Sequence, residues 1–67
     1  MFTLKEVGEM LDMSVSEVEQ EITQGYLNYS FKDGEKRVTL YDLEKYMGAE
    51  QAQKITRNYM KSENKQQ

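Results

Sequence analysis

Three short segments repeat one local device. Phe2-Thr3-Leu4-Lys5-Glu6-Val7, Met13-Ser14-Val15-Ser16-Glu17-Val18 and Val38-Thr39-Leu40-Tyr41-Asp42-Leu43 each place a hydroxyl residue three positions before an acid. The hydroxyl of a cap residue accepts from the N3 amide, and the N3 acid accepts from the cap amide. The acid also complements the positive end of the helix dipole. In each segment an apolar residue precedes the cap and another follows the acid. Phe2–Val7, Met13–Val18 and Val38–Leu43 are therefore spaced as hydrophobic staples. Three helix starts in 67 residues leave room for only short connections.

The apolar positions agree. Leu4, Val7, Met10 and Leu11 form a helical stripe; so do Val15, Val18 and Ile22, and so do Leu40, Leu43, Tyr46 and Met47. Only Asp12 and Met13 separate Leu11 from the Ser14 cap, so the first two helices must turn sharply. Gly25 stands where a left-handed residue would stop the second helix. From Leu27 the period changes: Leu27, Tyr29 and Phe31 alternate with Asn28, Ser30 and Lys32, the pattern of a half-buried strand. Asp33-Gly34 is a type I′ turn signal, and Glu35 to Val38 makes the returning strand. A two-stranded hairpin is unstable alone and must lean on the helices. Gly48 closes the third helix. Residues 49–61 predict a fourth, whose stripe of Ala52, Ile55 and Tyr59, joined by Met60, either covers the core or pairs with a second copy. Ile55 and Tyr59 are the candidate oligomerisation residues.

The expected fold is therefore mostly α with a small β-hairpin: a winged helix-turn-helix made of a helix-turn-helix, a two-stranded wing, a third helix and a C-terminal helix. Residues 1–48 form the domain. Residues 49–62 form the C-terminal amphipathic helix, and 63–67 a polar tail expected to fray.

Chemistry is constrained by absence. The chain contains no Cys and no His. Disulfides, thiolate metal sites and the commonest general base are excluded. No Gly-rich phosphate loop is present, and the carboxylates follow caps and surfaces. The reading is a non-enzyme without cofactor or metal; Glu17 and Glu21, one turn apart, offer only a weak Mg²⁺ or Ca²⁺ pair. No apolar run approaches the length of a membrane span, and the N-terminus lacks the pattern of a signal peptide. A cytoplasmic protein is expected.

Charge is uneven. The net charge is −3. Residues 1–30 carry Lys5 against six acids, while residues 31–67 carry eight cations against six anions. The last seventeen residues hold Lys54, Arg57, Lys61 and Lys65 against Glu63 alone. No Lys or Arg lies between Ser14 and Phe31, so the second helix reads as acidic through Glu17, Glu19 and Glu21.

From Phe2 to Met47 the chain resembles the excisionase and MerR-type winged-helix DNA-binding domains. The stretch from Phe2 to Leu11 looks like that family's first helix. Met13-Ser14 with Val18, Ile22, Gly25 and Leu27 looks like its second helix and exit. Arg37-Val38-Thr39 with Asp42-Leu43 and Tyr46 looks like the end of its wing and its third helix. The resemblance implies a second helix in the major groove and a wing along the neighbouring backbone or minor groove. It further implies a role in gene control or in excision of phage and other mobile elements. Ser16, Gln20, Thr23 and Gln24 would then meet bases or phosphates, and Lys32, Lys36 and Arg37 would serve the wing. The family's second helix usually carries basic residues and an aromatic where this chain has Glu19, Gln20 and Glu21. Position 12, often Gly in the family, is Asp12.

The expected partner is double-stranded DNA, bound weakly by one copy and better by a dimer or cooperative array. The alternative is a protein-binding adaptor or inhibitor. It would present Glu17, Glu19 and Glu21 as a phosphate-like row to a basic host protein. Five Tyr and five Met supply adaptable contact residues for either role.

Overall fold

The computed structural model describes residues 1–65. The order is β1 (Phe2–Thr3), α1 (Leu4–Leu11), α2 (Val15–Thr23), β2 (Ser30–Lys32), β3 (Glu35–Val38), α3 (Leu40–Met47) and α4 (Ala49–Lys65). All three capping boxes are formed. The hydroxyls of Thr3, Ser14 and Thr39 accept from the amides of Glu6, Glu17 and Asp42 at 3.1, 3.1 and 3.0 Å. The three acids accept in return from the cap amides at 2.8, 2.8 and 3.0 Å.

The turn between α1 and α2 is as tight as the spacing required. Asp12 adopts the left-handed conformation (φ 58°, ψ 48°), a region that Asp tolerates better than most residues. The amide of Met13 then donates to the Gly8 carbonyl at 2.8 Å. A side chain at Gly8 would meet the Met13 carbonyl oxygen at 2.4 Å. The turn therefore packs on bare backbone.

At the end of α2, Gly25 has φ 85°. Its amide donates to Ile22 and that of Tyr26 to Glu21, both at 3.0 Å. This is the Schellman pattern, which satisfies the last carbonyls of the helix and redirects the chain. Leu27, 2% exposed, then plugs the core.

The core unites Leu4, Val7 and Met10 of α1, Val18 and Ile22 of α2, Leu27, Val38 of β3, Leu43 of α3 and Ala52 of α4. Every expected staple partner lies in this cluster or against it. Val15 and Leu40, placed on the buried stripes by periodicity, are exposed. Each is the first residue of its helix.

Two features differ from the sequence expectation. The sheet has three strands, ordered β1-β3-β2 and antiparallel throughout. Phe2 pairs with Val38 and Thr3 with Arg37, so the hairpin is anchored by the chain start as well as by helices. The alternating segment does place Phe31 opposite Lys36, but Phe31 is 64% exposed rather than half-buried. The helical body covers only the root of the hairpin.

The fourth helix runs to Lys65, past the expected limit at 62, and residues 66–67 of the expected tail lie outside the described residues. It folds back on α3 and α1. Ala52 is fully buried, Thr56 is buried, and Ile55 and Tyr59 pack against the same core. The Tyr59 hydroxyl donates to Glu9 of α1 at 2.6 Å. Ile55 and Tyr59 were the candidate oligomerisation stripe. Both are half-buried and pack against the molecule's own core, one of the two expected uses of the stripe, where the turn at Gly48 brings α4 onto α3. No helix among the described residues is long and apolar enough to cross a membrane.

Candidate nucleic-acid interface

At ~100° per residue, the positions of α2 sort into three sectors. Val18 and Ile22 point to the core. Ser16, Gln20, Thr23 and Gln24 fall on the opposite side, and all four are exposed. Glu17 and Glu21 lie on one flank of that face and Glu19 on the other. The outward face of α2 is thus uncharged at its centre, and the acidic row expected from the sequence is dispersed.

Each acid also has a different environment. Glu17 closes the capping box with Ser14. Glu21 is half-buried and accepts a 2.6 Å hydrogen bond from the Tyr46 hydroxyl of α3. Glu19 makes no hydrogen bond or ion pair with any described residue. No three acids among the described residues converge as a metal-binding group.

The Tyr46–Glu21 bond ties α2 to α3 across the core. It raises the phenol above its ordinary pKa, first because the hydroxyl donates to the carboxylate, then through desolvation and the nearby negative charge. The sign is that of an acid held in its neutral form. The bond's stabilisation is fully present below the ordinary tyrosine value and is lost as the pH rises through the raised folded value. Tyr46→Phe should therefore cost about 1 kcal/mol at neutral pH, a charged hydrogen bond discounted for partial exposure. The gap between wild type and variant should close as the alkaline limb is climbed. Denaturant titrations across that range check this; a gap that stays constant with pH excludes it.

The hairpin and α2 border one groove. Asp33 (φ 54°) and Gly34 (φ 79°) both take the positive φ of a type I′ turn, with Lys32 facing Glu35 across it. A groove of about 500 Å³ is lined by Glu19 of α2, by Thr3, Leu4 and Lys5, and by Phe31, Gly34, Glu35 and Lys36 of the wing. Helix and wing tip therefore border the same space. On this side of the hairpin Tyr29 and Phe31 meet edge to face, with ring centroids 5.4 Å apart. The Lys36 ammonium lies 5.5 Å from the Tyr29 ring centre.

The three wing cations are not equivalent. Lys32 is exposed and Lys36 half-buried, and neither forms an ion pair with a described residue. Arg37 is 22% exposed and bound to Glu35 at 2.8 Å. It sits between Ser30 and Thr3 in the middle of the sheet. Arg37 is therefore the least accessible of the three cations and the one already engaged by a carboxylate. Its i, i+2 spacing to Glu35 on one strand face was the available signal. Lys5 and Phe31 border the groove without having been singled out for it, since only the fold brings the chain start beside the hairpin.

No family model matches the chain. No curated relative and no solved structure matches it either.

Proposed function

We propose that the protein is a small double-stranded-DNA-binding protein of winged helix-turn-helix type, acting in the cytoplasm without a cofactor and without catalysis. The observation that carries this reading is the juxtaposition of two surfaces. Helix α2, whose outward face is exposed and uncharged, borders through Glu19 one groove with a hairpin that brings Lys36 to it and carries Lys32 exposed beside it. Gln20 and Gln24 lie one turn apart on that face, and a Gln amide pairs bidentately with adenine. Ser16 and Thr23 supply hydroxyls for bases or phosphates. The excisionase and MerR resemblance supports the same placement, with α2 in the major groove and the wing along the flanking strand. It also supports a role in gene regulation or in the architecture of a phage or mobile-element complex.

The acidic-mimic alternative loses support, because the three acids do not form a row and two of them are engaged within the fold. Binding by one copy should be weak and salt-sensitive. Each free cation that meets a phosphate adds about 0.9 to the slope of log K against log salt. Lys32→Ala and Lys36→Ala should each lower that slope by about 1 in a mobility shift on random duplex. Arg37→Ala should act chiefly on the melting temperature. Absence of any salt-sensitive shift at low salt overturns the proposal.

A further inference from the structure

We infer that the outer side of α4 is a second phosphate-contacting surface, fitted to the backbone of duplex DNA. On the helix, Ala52, Ile55, Thr56 and Tyr59 share the side that meets the core. Lys54, Arg57 and Lys61 fall on the opposite side at i, i+3 and i+7, and all three are exposed. They make no ion pair with any described residue; the only such pair there is Arg37–Glu35. Glu50 shares the sector but sits in the first turn, where it complements the helix dipole. The three cations thus form a ridge ~10 Å long on a rigid rod, in a chain whose net charge is −3.

Charge complementarity names a polyanion. A lipid surface is a poor fit, because amphipathic helices bind membranes through an apolar face, and here that face is packed on α3 and α1. Duplex backbone is the better fit, since each strand presents a phosphate per ~3.4 Å of helix axis. The ridge also answers a deficit. The wing offers two free cations, whereas strong binders commonly make roughly 6–10 phosphate contacts. Lys54, Arg57 and Lys61 add three cations to the two of the hairpin. This inference rests on the duplex reading above.

The test compares the salt dependence of duplex binding for the full chain, for the neutral variant Lys54→Gln/Arg57→Gln/Lys61→Gln, and for the charge-preserving variant Lys54→Arg/Arg57→Lys/Lys61→Arg. Thermal melts establish that each is folded. The neutral variant should lose about 2–3 from the slope and at least about tenfold in affinity at low salt, while the charge-preserving variant keeps both. An unchanged slope in the neutral variant overturns the ridge and leaves the duplex reading standing. Equal losses in both variants overturn it as well, by assigning the effect to shape rather than charge. A wild type that shifts no duplex overturns both readings. If that protein instead sediments with phosphatidylserine vesicles, the ridge belongs to lipid headgroups.

Discussion

Replacing Gly8 by Ala should destabilise the protein by about 1–2 kcal/mol, against the direction that helix propensity alone dictates. Ala is favoured over Gly inside a helix by roughly 1 kcal/mol, and Gly8 lies within α1. The added methyl, however, would stand 2.4 Å from the Met13 carbonyl oxygen. Ordinary carbon contacts begin near 3.5 Å, so the turn would have to retreat by about 1 Å. That turn is held by the Met13 amide donating to the Gly8 carbonyl itself at 2.8 Å. Its neighbour, Ser14, caps α2. Overpacking of this kind costs typically 1–3 kcal/mol, and the obstacle is backbone rather than a flexible side chain. In a domain this small the net loss should lower the melting temperature by roughly 5–15 °C. A Gly8→Val variant, with more volume and poorer propensity, should fall further. Calorimetric or circular-dichroism melts decide the matter: a Gly8→Ala protein that melts above the wild type would show that the turn yields freely.

This expectation also marks the boundary of what the sequence alone disclosed. Helix starts were legible because the capping box is a local rule: Thr3, Ser14 and Thr39 each need only the acid three residues on. The type I′ turn was legible for the same reason. The close approach at Gly8 was not, because the atom it makes room for lies five residues away, after a reversal whose path depends on Asp12. Strand β1 was missed because Phe2–Thr3 is too short to show a period and Thr3 also serves as a helix cap. Alternation identified Tyr29 and Phe31 as sharing a side, which their ring contact bears out. Periodicity cannot say whether that side is covered, and at the wing it is not. The stripe of α4 likewise carried no label for its acceptor, which proved to be the chain's own core. Tyr46 and Glu21 are 25 positions apart, and no short-range pattern announces such a pair. What reads in the sequence as one acidic surface is therefore three carboxylates in different settings, two of them engaged within the fold.

Those three carboxylates should respond differently to the same charge reversal. Glu17→Lys breaks a capping box and should cost about 1 kcal/mol of stability. Glu21→Lys removes the acceptor of the Tyr46 hydroxyl and should weaken the α2–α3 junction. Glu19→Lys should leave stability nearly unchanged, because surface positions without partners rarely matter by more than about 0.5 kcal/mol. Its effect should appear in binding. Glu19 borders the groove between α2 and the wing, close to where a phosphate strand would run. Reversing it removes one repulsion and adds one cation. Affinity for duplex DNA at low salt should rise about tenfold, the equivalent of ~1.4 kcal/mol, and the salt slope should steepen by about 1. The acidic-adaptor alternative requires instead that the wild type bind no duplex at low salt and that the reversal abolish capture of a basic partner, since Glu19 is the acid of α2 with no bond to a described residue. A fluorescence-anisotropy titration of wild type and Glu19→Lys against the same labelled duplex separates the two. A stronger, more salt-sensitive complex places phosphate at the groove. An affinity unchanged by two units of local charge would mean that no polyanion approaches this side of α2, and the DNA-binding assignment of Ser16, Gln20, Thr23 and Gln24 would fall with it.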